Sequence, residues 1–334
     1  MSPPPVPRVA VVGCGYWGRN LVRNFHALGA LGAVVDATPA GRKLAAELAP
    51  GVDIVTELDA VLARNDVHAI VVATPAVTHA SLGLQALAAG KDVLMEKPMA
   101  LTVADGRALV ARAAAADRIL QVGHLLEYHP AIVALRGWMA SGRVGKILRL
   151  HSHRMGFGLV RTEEDVLWSL APHDIALILR FVGTLPETVV CHGSRALGTP
   201  RADTAVTMLH FAGGLDAHLL SSWLHPIKEQ RLVIVGERGM AVFDDAAAEN
   251  KLAFYDHYVR LDDTQPRLNK GETRFAPLPV AEPLRLECAA FLHAVATREP
   301  PFTDGESGLR VLAVLDACRR SMENGGEPTA LETI

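Results

Sequence analysis

Gly13, Gly15 and Gly18 stand in "VAVVGCGYWGRN" as G-x-G-x-x-G, after an apolar run and at the opening of a helical one. That pattern suits a dinucleotide. Glycines allow a tight turn, close approach of backbone to a pyrophosphate and close helix-to-strand packing, while the anion rests on the helix N-terminus. The next apolar run ends in Asp36, where a carboxylate hydrogen-bonds the adenosine ribose and repels a 2′-phosphate, so the spacing predicts NAD over NADP. Arg42, a few residues on, is either a phosphate partner opposing that preference or a solvated helix residue. Tyr16 and Trp17 either cover the pyrophosphate, line the nicotinamide side or pack against the last helix. In "VVATPAVTH", Thr74 and Pro75 fall at a strand's carboxyl end, where such sheets open onto the ligand crevice, and His79 begins the next helix. Thr74 contacts cofactor or caps the turn. Cofactor contact and core packing are equally open for His79.

A second stretch, "VLMEKP", places Glu96 and Lys97 at the end of an apolar strand and follows them with Pro98. Burying an unpaired charge costs several kcal/mol, on the scale of a domain's whole net stability. Proline fixes its own φ and pushes the preceding residue to an extended conformation, so Pro98 aims Lys97 in a defined direction with Glu96 as its electrostatic companion.

Positioning these groups requires a particular scaffold. The first part of the chain alternates β-rich runs ("RVAVVG", "LGAVVD", "VDIVT", "VHAIVVATP", "KDVLMEKP", "RILQVG") with helical ones. Near-continuous apolar strands separated by helices describe a doubly wound parallel sheet covered on both faces, ending near Gly123. "GHLLEYHPAIVALRGWMASGRVG" reads as a helix. Beyond it, "KILRLHSHRMG", "ETVVCHGSR", "TAVTMLHFAGGLDAHLLSSWLH" and "QRLVIVGERGMAVFDDA" alternate with period two and turn at "AGG" and "GERG". The predicted fold class is therefore α/β: an N-terminal doubly wound domain over residues 1–123, then a C-terminal α+β domain over 124–334 with an open, mainly antiparallel sheet. "EDVLWSLAPHDIALILRFVG" is a helical insertion, and two terminal helices pack within the second part or back on the first.

The composition agrees with small-molecule work. The chain has 334 residues, half of them hydrophobic, and a formal net charge of −3 with both signs interspersed. That predicts neither a nucleic-acid footprint nor a polybasic membrane patch. No secretory leader or membrane-length apolar run is evident, which predicts a soluble cytoplasmic protein. Cys14, Cys191, Cys288 and Cys318 lie far apart without zinc-like spacing and read as reduced packing residues. His151 and His153 alternate on one strand face but lack a third ligand, so no metal is expected.

Together, G-x-G-x-x-G, Asp36, "ATP", "EKP", the sheet-rich second half and "APHDI" resemble the glucose-fructose oxidoreductase/inositol dehydrogenase/rhizopine catabolism (Gfo/Idh/MocA) family over nearly the whole chain. The resemblance implies a Rossmann domain followed by an open sheet whose exposed face makes a homo-oligomer, a dimer or a tetramer. "GHLLEYHPAI" and "HRMGFGLVRTEEDVLWSLAPHDI" are similar to the branch that uses NAD to oxidise the carbon-3 hydroxyl of UDP-N-acetylglucosamine or its uronic acid. That branch feeds an aminotransferase making 3-amino sugars for lipid A or surface polysaccharide. Another sugar or cyclitol, or a non-catalytic NAD-sensing regulator, are the alternatives; the regulator would be expected to lose the lysine or histidine, and this chain keeps both.

The chemistry so implied needs a base for the hydroxyl proton. Lys97 and His173 are the candidates, with His173 taking the proton and Lys97 polarising the hydroxyl and holding the nicotinamide ribose. Arg154 and Arg161 flank "MGFGLV" and offer bidentate donors for a UDP pyrophosphate, or are surface residues. Two positions depart from the family. Ser169 and Ala171 precede His173 where many members carry D-x-G-x-H, and Glu127 stands where many carry arginine.

Overall fold

The computed structural model describes residues 6–262 and 265–334. In chain order the elements begin with β1 (Val9–Val12), α1 (Gly18–Ala27), β2 (Leu31–Val35), α2 (Pro39–Leu48), β3 (Asp53–Val55), α3 (Asp59–Leu62), β4 (Ala69–Val72), α4 (His79–Ala88), β5 (Asp92–Met95), α5 (Val103–Ala115) and β6 (Leu120–Val122). They continue with α6 (Pro130–Ala140), β7 (Ile147–Phe157), α7 (Val166–Val182), β8 (Thr188–Ser194), β9 (Thr204–Phe211), β10 (Leu215–Ser222), β11 (Leu224–Gly236) and β12 (Met240–Asp244). The last are β13 (Leu252–Asp262), β14 (Gln265–Phe275), α8 (Pro283–Thr297), α9 (Gly305–Glu323) and β15 (Thr329–Ala330). Two compact units result. One takes the chain up to Tyr128 with Ala281–Leu312 and Ile334; the other takes His129–Val280 with Ala313–Thr333.

The first unit holds a six-stranded parallel sheet in the order β3-β2-β1-β4-β5-β6. Every residue of β1, β2, β4, β5 and β6 is buried, as a sheet covered on both faces demands. Because the strands run parallel, their carboxyl ends share one edge. Gly13 follows β1, Asp36 follows β2, Thr74 lies just past β4, Glu96 follows β5 and Gly123 follows β6. Sequence order reverses between β1 and β4, the switch point where such sheets open a ligand crevice. From the far end of the chain, α8 packs Phe291 edge-on against Phe25 of α1, ring centroids 6.5 Å apart. Both rings are fully buried, and burying a phenylalanine side chain contributes about 1.5–3 kcal/mol.

The second unit carries a nine-stranded sheet in the order β14-β13-β12-β11-β7-β10-β9-β8-β15. β7 and β10 pair in parallel at its centre, and the other neighbours are antiparallel. Turns fall at Ala212–Gly214 and beside Gly236–Gly239, where "AGG" and "GERG" predict them. Along β7, Leu150, Ser152 and Arg154 are buried while Arg149, His151 and His153 are partly exposed, the period-two division of a strand with one covered face.

One predicted helix is two elements. Leu125–Tyr128 form a short 3₁₀ turn, and α6 begins afresh at Pro130. Proline disfavours helical geometry in the residue before it, and here His129 is extended and its ring accepts from the Ala131 N–H as a cap.

Candidate active site

The glycine loop is built by close packing. Gly13 has φ +95°, and a Cβ there would lie 2.8 Å from the Ala73 carbonyl oxygen; a Cβ at Gly18 would lie 2.0 Å from the Gly13 oxygen. No side chain other than hydrogen fits either position. Gly15, by contrast, has nothing within 4 Å of its missing Cβ. Trp17 at the cap of α1 makes no side-chain capping bond, whereas α2, α5 and α7 are capped by Thr38, Thr102 and Asp165. A helix start left without a cap, at the edge of an open glycine loop, fits the pyrophosphate of a dinucleotide.

Asp36 is tied into the same loop. Its Oδ2 accepts from the Cys14 N–H at 2.7 Å, and its Oδ1 accepts from the Thr38 N–H and hydroxyl at 2.8 and 2.7 Å. Burial works to raise its pKa, but these bonds and the Arg42 charge prevail and hold the carboxyl below its ordinary value. Arg42 donates through Nη1 to the carbonyls of Asp36 and Ala37 at 3.0 and 2.8 Å. Arg42 is thereby committed in part to backbone beside the Asp36 carboxylate. Burial, with the Asp36 charge, pushes the Cys14 thiol up to about 11, so it stays protonated packing.

Thr74 and Thr78 share a hydroxyl hydrogen bond of 2.7 Å, beside Pro75. His79 is buried at 1% exposure, and its Nδ1 and Nε2 lie 2.8 and 2.9 Å from the carbonyl oxygens of Pro98 and Thr74. It thereby ties the loop after β4 to the loop after β5. Tyr16 is largely exposed beneath the Arg19 guanidinium, 5.3 Å from its ring centroid.

Trp17 does something its sequence position does not reveal: its indole N–H donates to Glu96 Oε1 at 2.5 Å. Glu96 Oε2 accepts from the Lys97 N–H at 3.2 Å, and its carboxylate fills the space beside Gly123. Burial raises the Glu96 pKa, against the lowering pull of the Trp17 bond and the Lys97 charge, and the net shift is upward. Lys97 itself is half-buried, and its bond to Pro98 is cis.

Behind this pair lies an acid that sequence reasoning misses. Glu287 of α8 is fully buried, and neither of its carboxylate oxygens has a hydrogen-bond partner among the described residues. Burial, then the Glu96 charge, push its pKa well above the carboxylate range, favouring the neutral acid. One signal marks it: Glu287 sits on the buried stripe of α8 with Leu284, Cys288, Phe291 and Leu292, where the helical period predicts an apolar residue.

In the second unit, α7 starts at the Asp165 cap, whose carboxylate accepts from the Trp168 N–H at 3.1 Å. The helix runs through Pro172 and carries a half-buried His173 in its interior. Asp174, the next residue, is buried and accepts from Arg154 Nε and Nη2 at 2.6 and 3.1 Å and from Ser152 Oγ at 2.8 Å. Arg154 therefore lies on the covered face of β7 as half of a buried ion pair, which its spacing from "MGFGLV" does not disclose. Burial works against its charge, and Asp174 and Asp245 outweigh it. Arg161 is partly exposed, with Nε 3.1 Å from Glu164. Glu127 is buried in the 3₁₀ turn of the first unit.

All four cysteines are buried and unbridged. Among the described residues no cluster of His, Cys, Asp and Glu is arranged to hold a metal, and no helix is long and apolar enough to cross a membrane. His151 instead packs edge-on against His218 at 5.3 Å, and His153 faces Glu229 at 3.3 Å.

Residues 7–124 match the model of the Gfo/Idh/MocA oxidoreductase family, NAD-binding Rossmann fold, and residues 132–242 match the Gfo/Idh/MocA C-terminal domain. The chain is 31% identical to UDP-N-acetylglucosamine 3-dehydrogenase of Acidithiobacillus ferrooxidans, covering 95% of this chain and 97% of that one. The solved structure of that enzyme superposes with a TM-score of 0.83 at 29% identity, covering 95% and 97% of the two chains. Inositol 2-dehydrogenase 1 of Saccharopolyspora erythraea is 29% identical over 95% of this chain and 94% of its own.

Proposed function

Because the chain belongs to the Gfo/Idh/MocA oxidoreductase family, we propose that it oxidises the carbon-3 hydroxyl of a UDP-sugar, UDP-N-acetylglucosamine first, with NAD as hydride acceptor. The first unit is the NAD-binding Rossmann domain. Gly13, Gly15, Gly18 and the start of α1 hold the pyrophosphate, Asp36 the ribose, and Tyr16, Trp17, Thr74, Pro75 and Glu96 line or support the remainder. Bound NAD supplies the electrophilic nicotinamide carbon; everything else is work for side chains.

The observation that carries the reading is Lys97, half-buried at the carboxyl end of β5 with the Glu96 carboxylate behind it fixed by Trp17. An ammonium so held donates to the substrate hydroxyl and to the nicotinamide ribose. His173 would take the hydroxyl proton as the base while the carbon-bound hydrogen would pass as hydride to bound NAD, giving a ketone, the reduced cofactor and an imidazolium. Such proton removal contributes about 10²–10⁴ in rate.

The UDP-sugar assignment is supported by near-full-length similarity to the A. ferrooxidans enzyme, and UDP-N-acetylglucosamine is favoured over its uronate by the neutral "MGFGL" that precedes His173's helix in sequence and offers no added cation. The partly exposed Arg161 guanidinium is the donor we assign to the pyrophosphate. The 3-keto product would pass to an aminotransferase, and a homo-oligomer would form through the sheet of the second unit. The inositol 2-dehydrogenase relatives support a cyclitol as the second reading.

Purified protein is incubated with NAD and, in separate arms, UDP-N-acetylglucosamine, its uronic acid, myo-inositol and free sugars, with a coupled aminotransferase to draw off ketone. Reduced-nicotinamide absorbance is expected to rise fastest with UDP-N-acetylglucosamine. Turnover of myo-inositol alone would replace the UDP-sugar reading with the cyclitol one, and tight NAD binding without any turnover would overturn both.

A further inference from the structure

We propose that Arg154 and Asp174, steadied by Ser152, are positioning residues for His173: a buried ionic clamp that fixes the turn of α7 on which the imidazole rides. The inference rests on the reading of His173 as the base.

Adjacent residues on a helix point about 100° apart, so Asp174 faces β7 while the imidazole beside it points elsewhere. The Asp174 carboxylate is directed inward, accepting from Arg154 Nε at 2.6 Å and Nη2 at 3.1 Å and from Ser152 Oγ at 2.8 Å. Two parallel N–H donors to one carboxylate fix orientation as well as distance, which a point charge does not. Arg154 and Ser152 both stand on the covered face of β7, whose neighbours β10 and β11 pair with it along most of its length. The clamp is thus anchored in the centre of the sheet.

The helix needs such an anchor at this point. Pro172 lies inside α7, directly before His173. It has no N–H to give to the carbonyl one turn back, so the hydrogen-bond ladder is interrupted in the turn that carries the base. A base displaced by about 1 Å loses on the order of a hundredfold in rate. Replacing a buried ion pair by apolar residues of like volume is often neutral for stability, so stability alone is a poor account of these charges. A substrate-phosphate role for Arg154 is a poor account too, because its residue exposure is only 8% and two of its nitrogens are spent on Asp174.

The test uses full-length R154L/D174L, with R154K and S152A as milder variants, and H173Q to assign the imidazole Cε1–H resonance of His173. Melting temperature, that resonance, and kcat and KM with NAD and UDP-N-acetylglucosamine are measured together. In R154L/D174L the expected result is a melting temperature within about 5 °C of wild type, a shifted or broadened His173 resonance, and kcat lowered roughly ten- to a hundredfold with KM nearly unchanged. R154K, which keeps the charge and loses the fork, falls between. An unchanged resonance and kcat in folded R154L/D174L would overturn the proposal, as would a rise in KM at constant kcat, which marks Arg154 as a substrate ligand. If R154L/D174L does not fold, the same outcomes are read from R154K and S152A. Full turnover by H173Q removes His173 from the chemistry, while the resonance still decides whether the clamp holds it.

Discussion

The two units hold their charged residues by different means. In the first, backbone does most of the placing: parallel register sets Gly13, Asp36, Thr74 and Glu96 on one edge of the sheet, and carbonyls and N–H groups hold Asp36, Arg42 and His79, with the Thr38 hydroxyl assisting at Asp36 and the Trp17 indole at Glu96. In the second, His173 sits within a helix interrupted by proline, and side chains do the placing through Arg154, Asp174 and Ser152. Backbone placement tolerates changes of side chain and fails when a Cβ is added. Side-chain placement fails when either partner is removed.

The largest effect that would sharpen this contrast is at Lys97. Lys97→Met keeps the stem and deletes the ammonium, and is expected to lower turnover by about 10²–10⁴, with a smaller loss of NAD affinity from the missing ribose hydrogen bond and little change in melting temperature. Steady-state kinetics beside an NAD titration separates the two; wild-type turnover would remove Lys97 from the chemistry. Next is Gly18→Ala, whose new methyl would meet the Gly13 carbonyl at 2.0 Å. A loss of about 1–3 kcal/mol in urea unfolding, with weakened NAD binding, is the expected result, and a neutral outcome would break the claim that the first unit is placed by its backbone.

A third probe is Glu287. A carboxyl whose pKa is raised by folding contributes its full stability below the unfolded value near 4.5. As pH rises, the unfolded chain ionises while the folded one stays protonated, so stability falls until the folded pKa is passed, at up to about 1.4 kcal/mol per pH unit. Glu287→Gln has no proton to lose, so its melting temperature is expected to be flatter with pH and to exceed wild type on the alkaline side. Parallel pH profiles of the two proteins would reveal the opposite. Last, Arg274→Ala removes an ion pair with Glu272 whose side chains are 63% and 77% exposed. It should shift chemical denaturation by no more than about 0.5 kcal/mol, which sets the background for the other three.

The sequence discloses the first unit well because its signals are contiguous. Its central strands β1, β2 and β4 are unbroken apolar runs, and Gly13, Asp36, Thr74, Glu96 and Lys97 each follow their strand within two residues. The central strands of the second unit are legible for a related reason, their period-two alternation. β13 and β14 are not among the predicted strands, since β14 is exposed along nearly its whole length and joins the sheet by backbone pairing with β13 rather than by an apolar face. Long-range partners are equally silent: Trp17 and Glu96 are 79 residues apart, and Arg154 and Asp174 are 20 apart on different elements. Their types suggest chemistry, while only the folded chain shows who occupies whom. Arg154 illustrates this, since an arginine beside a glycine-rich segment reads as a phosphate ligand until its carboxylate appears.

The return of α8 to the Rossmann sheet also sets an order of events during synthesis. Phe291, Cys288, Leu292 and Val295 belong to the same core cluster as Val9, Leu21 and Phe25, yet the second unit's residues His129–Val280 emerge from the ribosome between them. A nascent chain with every motif of its nucleotide site already translated still exposes the side of α1 that Phe291 will cover. Closure of that core is a late, high-separation contact, and loop-closure entropy makes such contacts slow. The dinucleotide unit is therefore completed only after residues 129–280 of the second unit have been made.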